Sequence, residues 1–354
     1  MKILEQHNSA LKRPRPSIRR DIQPKAINIS QEALVKTACL RPDSLLPLVV
    51  EPAVSGLNLI AWAHSNRALI ETKLARHGAL LFRGFDVQDV TDFEQFTAAV
   101  AGELIVYRER SSPRHEVGER VYTSTDYPAD QKIFPHNEHS YSLTFPLKLF
   151  FFCQLPAREG GETPIADCRR IFRRLSPQTR QGFIEKRWQY ARNFGQGFGL
   201  PWETVFQTTD RGVVEAYCRN HAIEFEWKEG NRLKTRQVRP AVARHPRTGE
   251  MVWFNHATFF HVSTLEPTMR DTLVNSFAEE DLPNHTFYGD GTPIESAVLD
   301  ELRAAYLEEL VTFKWQRGDI ILLDNMLTAH SRASFVGPRQ ILFAMADPFT
   351  RTDV

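Results

Sequence analysis

The chain has 354 residues, of which 42% are hydrophobic and 25% charged, and its formal net charge is +1. This composition is typical of a globular protein that buries its own core, and the charge balance argues against a nucleic-acid or membrane partner. The four scattered cysteines include no C-x-x-C pair, and there is neither a membrane-length apolar run nor a signal-peptide core. These features predict a cytoplasmic protein with reduced thiols.

Basic side chains are concentrated in residues 1–25, where two prolines interrupt them. Charge runs of this kind are typical of solvated segments, so we predict a flexible basic N-terminal tail. A docking arm for an acidic partner is the alternative interpretation. Because residues 26–354 contain neither an internal repeat nor a low-complexity linker, we predict that they form one domain with a long insertion at roughly 190–310.

Helical and β patterns alternate in the first half of the chain. Apolar residues recur at helical spacing from Leu57 to His77, and the apolar run Ala79–Phe82 then predicts a short buried strand. A second helix is predicted from Thr91 to Leu104, with Asp92 as its N-cap. Between Ile133 and Leu155 the aromatic-rich pattern is typical of β-strands.

A loop at Pro156–Gly161 separates this β region from the next elements. Thr163–Ala166 is predicted to be short and extended, and Phe172–Arg187 to be helical. Within the insertion, helical stretches are predicted near Trp202–Phe206 and Leu299–Leu310.

The C-terminal part predicts three strands, at Val311–Trp315, Ile320–Leu323 and Ile341–Met345. A turn at Arg317–Asp319 precedes the second strand, and Asp324-Asn325 ends it. Taken with the helices before and between the strands, this order predicts a mainly β protein. The expected architecture is a double-stranded β-helix (jelly roll) core decorated by helices and by the long insertion.

The tripeptide His136-Asn137-Glu138 is one half of a candidate metal site. Side chains two positions apart on a strand point to the same face, so His136 and Glu138 could bind one ion together. With one further histidine they would form a 2-His-1-carboxylate triad, which suits Fe(II) and leaves three positions open for cosubstrate and dioxygen (O2). An H-x-E pair by itself also arises by chance.

His330 is the best candidate for the third ligand, because it follows a buried strand and a turn and precedes two arginines. His139 is the nearest alternative, but on a strand it would face away from the first histidine of the pair. His256 and His261 are further alternatives, in an aromatic-rich stretch that is more typical of a core or a pocket wall.

Arg339 is a candidate for holding the remote carboxylate of 2-oxoglutarate. A planar guanidinium forms two parallel hydrogen bonds to a carboxylate and stays charged when buried. Thr163, in the segment Gly160–Pro164, is the candidate hydroxyl beside that carboxylate. The alternatives are a solvated arginine at a strand edge and a turn hydroxyl bonded to local backbone.

Several longer segments, spread over nearly the whole chain from about residue 45, resemble one family. They are Leu81–Phe85, Arg110–Arg114, Tyr122–Pro128, Pro135–Glu138, Gly160–Thr163, Trp253–His256, Tyr288–Gly291 and Asp324–His330. Together they resemble the TauD/TfdA superfamily of dioxygenases, and more narrowly its clavaminate synthase-like branch. Within that branch the chain is similar to the SyrP-type amino-acid hydroxylases of nonribosomal peptide pathways.

The resemblance implies a jelly-roll oxygenase that binds Fe(II) through His136, Glu138 and His330 and holds 2-oxoglutarate with Thr163 and Arg339. Such enzymes convert 2-oxoglutarate into succinate and carbon dioxide. A glutamate stands where many relatives have aspartate, and its presence argues against the halogenase subgroup, in which a small residue lets chloride bind the iron. The family also catalyses desaturation and cyclisation, so the triad does not fix the reaction outcome.

The resemblance further implies an amino-acid substrate, free or bound to an acyl or peptidyl carrier protein, in secondary-metabolite (antibiotic) biosynthesis. Hydroxylation is expected at the β-carbon or at another unactivated carbon. The candidate substrate-binding residues are Arg108, Arg110, Ser124, Asn255 and His256. Two alternative classes remain: a cupin-type isomerase or hydrolase that uses the metal as a Lewis acid, and a non-catalytic interaction protein on the same fold.

Overall fold

The computed structural model describes residues 31–102, 104–105, 115–124, 127–195 and 197–352, so the predicted tail lies outside it. The α-helices of this part of the chain are α1 (Leu59–Ser65), α2 (Arg67–His77), α3 (Val90–Val100), α4 (Cys168–Arg174), α5 (Pro177–Lys186), α6 (Trp202–Phe206), α7 (Arg211–Asn220), α8 (Pro267–Ser276) and α9 (Ser296–Glu308). Short 3₁₀ helices occupy Gln31–Leu34, Val262–Thr264 and Glu279–Asp281. No helix among these residues is both long and apolar enough to traverse a lipid bilayer.

The β-strands of the same residues are β1 (Val35–Cys39), β2 (Leu48–Pro52), β3 (Ala79–Phe82), β4 (Glu116–Gly118), β5 (Val121–Thr123), β6 (Ile133–His136), β7 (Thr144–Leu155), β8 (Glu159–Gly160), β9 (Ile165–Asp167), β10 (Trp188–Phe194), β11 (Glu224–Lys228), β12 (Arg232–Arg239), β13 (Val242–Arg244), β14 (Met251–Trp253), β15 (Asn284–Tyr288), β16 (Leu310–Val311), β17 (Ile320–Asp324), β18 (Thr328–Arg332), β19 (Phe335–Val336) and β20 (Gln340–Thr350). The pairs β13–β14 and β8–β19 form two small ribbons.

The largest sheet has the order β1-β2-β3-β17-β7-β20-β5-β4, and every pair in it except β2–β3 is antiparallel. Its central strands are buried on both faces. Ile320 and Leu322 of β17 pack in the cluster that α1, α2 and α3 complete, whereas Ile321 and Leu323 pack in the cluster between the sheets. This alternation follows from the two-residue period of a strand, and burial of both faces explains the continuous apolar run.

A smaller antiparallel sheet with the order β16-β9-β18-β6 faces the large one. Ile165 of β9 and Val311 of β16 join the cluster between the sheets. Ala166 and Ala329 belong instead to the outer cluster, which includes residues of α4, α5 and α9. The two facing sheets, with helices outside each, confirm the predicted mainly β jelly-roll class, although the sheets do not close into a barrel.

A third sheet, with the order β11-β12-β10-β15, lies within the predicted insertion. Its strands β11 and β12 read Glu-Phe-Glu-Trp-Lys and Arg-Leu-Lys-Thr-Arg-Gln-Val-Arg, so charged side chains occupy much of one face. The other face packs on α6 and α7 through Leu233, Trp202 and Val214. The sequence pattern predicted α6 but missed these strands, because half of their positions are polar.

Two predicted helices are each divided in the structure. The first is broken at Asn66, whose side-chain Nδ2 donates to the carbonyl of Trp62 (2.8 Å) between α1 and α2. The predicted helix from Phe172 to Arg187 is α4 and α5, separated before Pro177, which has no N–H to continue the first helix.

Several predicted boundaries are also corrected. Asp89, not Asp92, caps α3: its Oδ1 accepts from the N–H of Asp92 (3.0 Å), while Asp92 accepts from the N–H of Gln88 (2.9 Å). This reciprocal pair resembles a capping box, with both side chains binding exposed backbone donors. The strand predicted from Val311 to Trp315 is only Leu310–Val311, and the predicted loop at 156–161 contains β8.

Candidate metal centre

The side chains of His136, Glu138 and His330 converge at one point. His136 ends β6 and lies directly opposite His330 of β18, with their ring centroids 4.4 Å apart. His330 Nε2 lies 3.8 Å from Glu138 Oε2. Among the described residues, this is the one group of at least three His, Cys, Asp or Glu side chains whose ligand atoms all lie within 4.8 Å of one another.

The backbone brings Glu138 to this point in a way that the strand argument did not foresee. Strand β6 ends at His136, so Glu138 lies beyond it, in a turn. Asn325, buried in the turn between β17 and β18, accepts from the N–H of Glu138 through Oδ1 (2.8 Å) and donates through Nδ2 to its carbonyl (2.8 Å). The next residue, His139, has a positive φ of 55°, stacks on Tyr141 and is not part of the converging group.

The donor set fits Fe(II). His136 donates from Nδ1 to the carbonyl of Phe134 (2.9 Å), which fixes the ring and leaves the Nε2 lone pair for a metal. Two imidazoles and one carboxylate, without a thiolate, are the ligands of the facial triad of non-haem iron oxygenases.

His256 lies next to this group without joining it. Its ring is 5.6 Å from the ring of His136, and its Nδ1 is 2.5 Å from Ser140 Oγ. Burial, together with the nearby His136 and His139, lowers the pKa of His256 well below its usual value, so this imidazole is neutral. His261, the remaining alternative ligand, is also outside the converging group.

A small pocket lies on one side of the two histidines, and Arg339 reaches into it. Arg339 donates from Nε to the carbonyl of Gly161 (2.9 Å) and from Nη1 to Ser124 Oγ (3.1 Å). A Cβ at Gly161 would lie 3.0 Å from Arg339 Cδ, and Gly161 has a positive φ of 73°, so glycine makes room for the guanidinium. Thr163 also lines this pocket, where its hydroxyl accepts from Trp315 Nε1 (3.1 Å).

The charge of this pocket favours an anion. Burial and the neighbouring Arg332 lower the pKa of Arg339 to about 10, and none of the described residues that line the pocket is acidic. A buried guanidinium in such surroundings is stabilised by a bound carboxylate. The pocket itself is small, with a volume of about 30 Å³.

A larger cavity, of about 260 Å³, opens on the other side of His136, which lines both spaces. The ring of Phe259 lies 4.6 Å from the ring of His136. The walls are mainly apolar and aromatic; the lining residues are Tyr127, Lys132, Ile133, Phe134, His136, Glu138, His256, Phe259, Phe260, Thr264, Leu265, Glu266, Leu273, Pro283 and Asn284.

The predicted substrate-binding residues are distributed over several places. Arg108 and Arg110 lie outside the described residues. Ser124 lines the small pocket beside the arginine, and His256 lines the large cavity. Asn255 is buried and bonded to backbone, through Nδ2 to the carbonyl of Ala241 (2.8 Å) and through Oδ1 to the N–H of Ala257 (2.9 Å).

Comparison with known proteins agrees with this geometry. Residues 44–345 match the family described as "Taurine catabolism dioxygenase TauD, TfdA family". The chain belongs to the TauD/TfdA family. This TauD-family protein is a 2-oxoglutarate-dependent non-haem iron dioxygenase, and its cofactor and cosubstrates are Fe(II), 2-oxoglutarate and O2.

Two curated relatives cover most of the TauD-family chain. The "Dapdiamide synthesis protein DdaC" of Enterobacter agglomerans is 38% identical over 310 residues, which are 84% of this chain and 94% of the relative. A clavaminate synthase-like protein of Arabidopsis thaliana is 29% identical over 314 residues, which are 86% of this chain and 91% of the relative.

A solved structure supports the fold. It is described as "PvcB, an Fe, alpha-ketoglutarate dependent oxygenase from an isonitrile synthetic pathway", with a TM-score of 0.53 and 16% identity. The similarity covers 89% of this chain and 92% of that one.

Proposed function

We propose that this dioxygenase hydroxylates an unactivated carbon of an amino acid in secondary-metabolite biosynthesis, with release of succinate and carbon dioxide. The observation that carries the proposal is the cavity of about 260 Å³ that reaches His136 and Glu138. Its volume is below the roughly 300–1,000 Å³ of pockets for drug-sized ligands, so it suits a small substrate. The relative from Enterobacter agglomerans, named for dapdiamide synthesis, supports a biosynthetic role.

In this proposal His136, Glu138 and His330 hold the iron, and Arg339 with Thr163 holds the remote carboxylate of 2-oxoglutarate. When bound, the iron and 2-oxoglutarate supply the activation of dioxygen and the oxidising power for the C–H bond. The chain supplies binding and orientation. The hydrogen bond from His136 to Phe134 holds the first ring, and the two hydrogen bonds between Asn325 and the backbone of Glu138 hold the residue that carries the carboxylate.

The cavity walls position the substrate carbon. Phe134, Phe259 and Phe260 present apolar surface beside the metal ligands, and none of them can act as an acid or base. A reaction at an unactivated C–H bond depends on the distance of that bond from the metal and on the exclusion of water. Aromatic walls next to the triad meet both requirements.

The test is an anaerobic titration of the protein with Fe(II) and 2-oxoglutarate, followed by a panel of amino acids and aminoacyl thioesters on a carrier protein. An amino-acid substrate is expected to shift the metal-to-ligand charge-transfer band. Addition of oxygen should then release succinate only with that substrate, and the product should gain the mass of one oxygen atom. Loss of two hydrogens without a gain of oxygen would indicate desaturation or cyclisation instead.

Two results would contradict the proposal. If no amino acid in either form shifts the band or stimulates succinate release, the amino-acid substrate class is wrong. If a substrate is converted without consumption of 2-oxoglutarate, the metal acts as a Lewis acid, as in an isomerase or hydrolase. Removal of residues 1–20 separately tests the tail, because an unchanged rate on a carrier-bound substrate would discard its role in docking the carrier.

A further inference from the structure

The large cavity contains two side chains of opposite charge, Lys132 and Glu266, besides the metal-binding carboxylate. Both are exposed. Within the described part of the chain, neither side chain has an ion pair or a hydrogen bond to another residue. Most of the remaining cavity surface is apolar, so these two charges are the features that a polar substrate would meet at the mouth.

Lys132 directly precedes β6 and continues the alternation of side chains along that strand. Lys132, Phe134 and His136 occupy every second position up to the end of β6, and all three line the cavity. At roughly 3.3 Å per residue, the Cα of Lys132 lies about 13 Å from that of His136. The ammonium group therefore belongs to the outer end of the same wall that carries the metal ligands.

Glu266 comes from a distant part of the chain, immediately before α8. It occupies the N-cap position, but its side chain accepts no hydrogen bond from the helix. The carboxylate is therefore not used for capping. Glu266 and Tyr127 line the same cavity. Burial, with the negative charge of Glu266, raises the pKa of Tyr127 against the opposing effect of Arg332.

We propose that Lys132 and Glu266 select a free amino acid, with Lys132 binding its α-carboxylate and Glu266 its α-ammonium group. This inference rests on the proposed function and decides between the two substrate forms left open there. A carrier-bound aminoacyl thioester retains the ammonium group but has no carboxylate, so it leaves Lys132 without a counterpart. A free amino acid carries a counterpart for each of the two charges.

The size of the effect depends on how far the bound substrate excludes water. An exposed ion pair contributes about fivefold to affinity, whereas a charged hydrogen bond shielded from water contributes up to about 100-fold. Each substitution is therefore expected to weaken binding of the free amino acid by a factor between about 5 and about 100.

The experiment compares the variants Lys132→Gln and Glu266→Gln with the wild type, as full-length protein loaded with Fe(II) and 2-oxoglutarate. The probes are the amino acid of the panel that shifts the charge-transfer band most, its carboxamide and its N-acetyl derivative. Dissociation constants are measured anaerobically from the band, without turnover. Lys36→Gln and Glu51→Gln, which change exposed charges on β1 and β2, serve as matched controls.

The expected result is selective. Lys132→Gln should weaken binding of the free amino acid but not of its carboxamide. Glu266→Gln should weaken binding of the free amino acid but not of its N-acetyl derivative. The control variants should leave these dissociation constants unchanged. The inference would be overturned, with the proposed function intact, if Lys132→Gln weakened binding of the amino acid and of its carboxamide equally. It would also be overturned if an aminoacyl thioester bound more tightly than the free amino acid and Lys132→Gln left that binding unchanged. A panel in which no amino acid shifts the band would instead overturn the proposed function, and the inference with it.

Discussion

The side chain of Asn325 pairs with the backbone of Glu138 as a neighbouring β-strand would. One amide accepts from the N–H of Glu138 and donates to its carbonyl, both at 2.8 Å. The same Nδ2 also donates to the carbonyl of Pro146 (2.8 Å). Because Asn325 precedes β18, which carries His330, these bonds connect the two segments that bring the candidate metal ligands together.

The first prediction concerns this pairing. Asn325→Ala removes all three side-chain hydrogen bonds, and Asn325→Asp replaces the donors with a buried negative charge facing two carbonyls. Loss of such an outer partner typically weakens metal binding by about 10–100-fold, and each unsatisfied buried group costs about 1–3 kcal/mol of stability. Anaerobic calorimetry with Fe(II) measures the first effect and urea unfolding the second.

Asn193 provides the matched control for Asn325. It is also buried, and its Nδ2 donates to the carbonyls of Glu280 (3.1 Å) and Leu282 (2.9 Å), outside the candidate metal centre. Asn193→Ala should lower the free energy of unfolding but leave Fe(II) affinity unchanged. Equal losses of Fe(II) affinity in both variants would mean that Asn325 acts through general stability.

The second prediction is that His330→Ala abolishes turnover with little loss of folded structure. The side chain is one of the three that converge, so its removal leaves two protein ligands for the metal. Substrate-dependent succinate release should fall below detection, while the far-ultraviolet circular dichroism spectrum stays that of the wild type. Retained coupled turnover would assign the third ligand to another residue.

The third prediction separates cosubstrate binding from metal binding. Arg339→Gln keeps a polar side chain but removes one of the two guanidinium groups that line the small pocket. The loss of a charged hydrogen bond, about 1.5–3 kcal/mol, should raise the dissociation constant of 2-oxoglutarate by about 10–100-fold. Fe(II) affinity measured without 2-oxoglutarate should stay constant. Unchanged 2-oxoglutarate affinity would show that another residue holds its remote carboxylate.

The fourth prediction is a loss of stability in acid that involves His261. Burial, with the neighbouring His285 and Arg303, lowers the pKa of His261 to about 3. The unfolded chain therefore takes up a proton near pH 6.5, whereas the folded chain does not, so stability falls as the pH decreases below about 6.5. At pH 5 this one group costs about 2 kcal/mol.

Urea unfolding at pH 7 and pH 5 tests that prediction. His261→Asn removes the titrating ring, so the variant should lose about 2 kcal/mol less than the wild type between the two pH values. The ring of His285 lies 4.4 Å from that of His261, so the comparison measures the loss of the His261 ring together with its effect on His285. An identical pH dependence of the two proteins would contradict the prediction.

The central strands could be predicted from the sequence because each carries a continuous apolar signal. Ala79–Phe82 is β3 as predicted, and Ile320–Leu323 is β17 apart from one residue. The strands of the third sheet could not be predicted in this way. Charged and polar side chains interrupt all four strands, so none of them carries a continuous apolar run.

The candidate site could be predicted only in part. The prediction that His136 and Glu138 share one face assumed a continuous strand. In the structure β6 ends at His136, and hydrogen bonds with Asn325 hold the backbone of Glu138 instead. A side chain that acts as a strand partner from nearly 190 positions away leaves no local pattern. For Lys132 a signal did exist, since it shares the alternation of His136, but a lysine before a strand is usually solvated.

His136 lines both spaces in this protein, together with Ile133. The small pocket is lined by residues of β18 with Thr163 and Arg339, whereas much of the lining of the large cavity comes from residues 259–284. Residues 259–284 can therefore change during evolution while the residues around the small pocket stay the same. Because the two spaces share only Ile133 and His136 among their described lining residues, changes in the larger cavity can alter substrate binding and leave the small pocket unchanged.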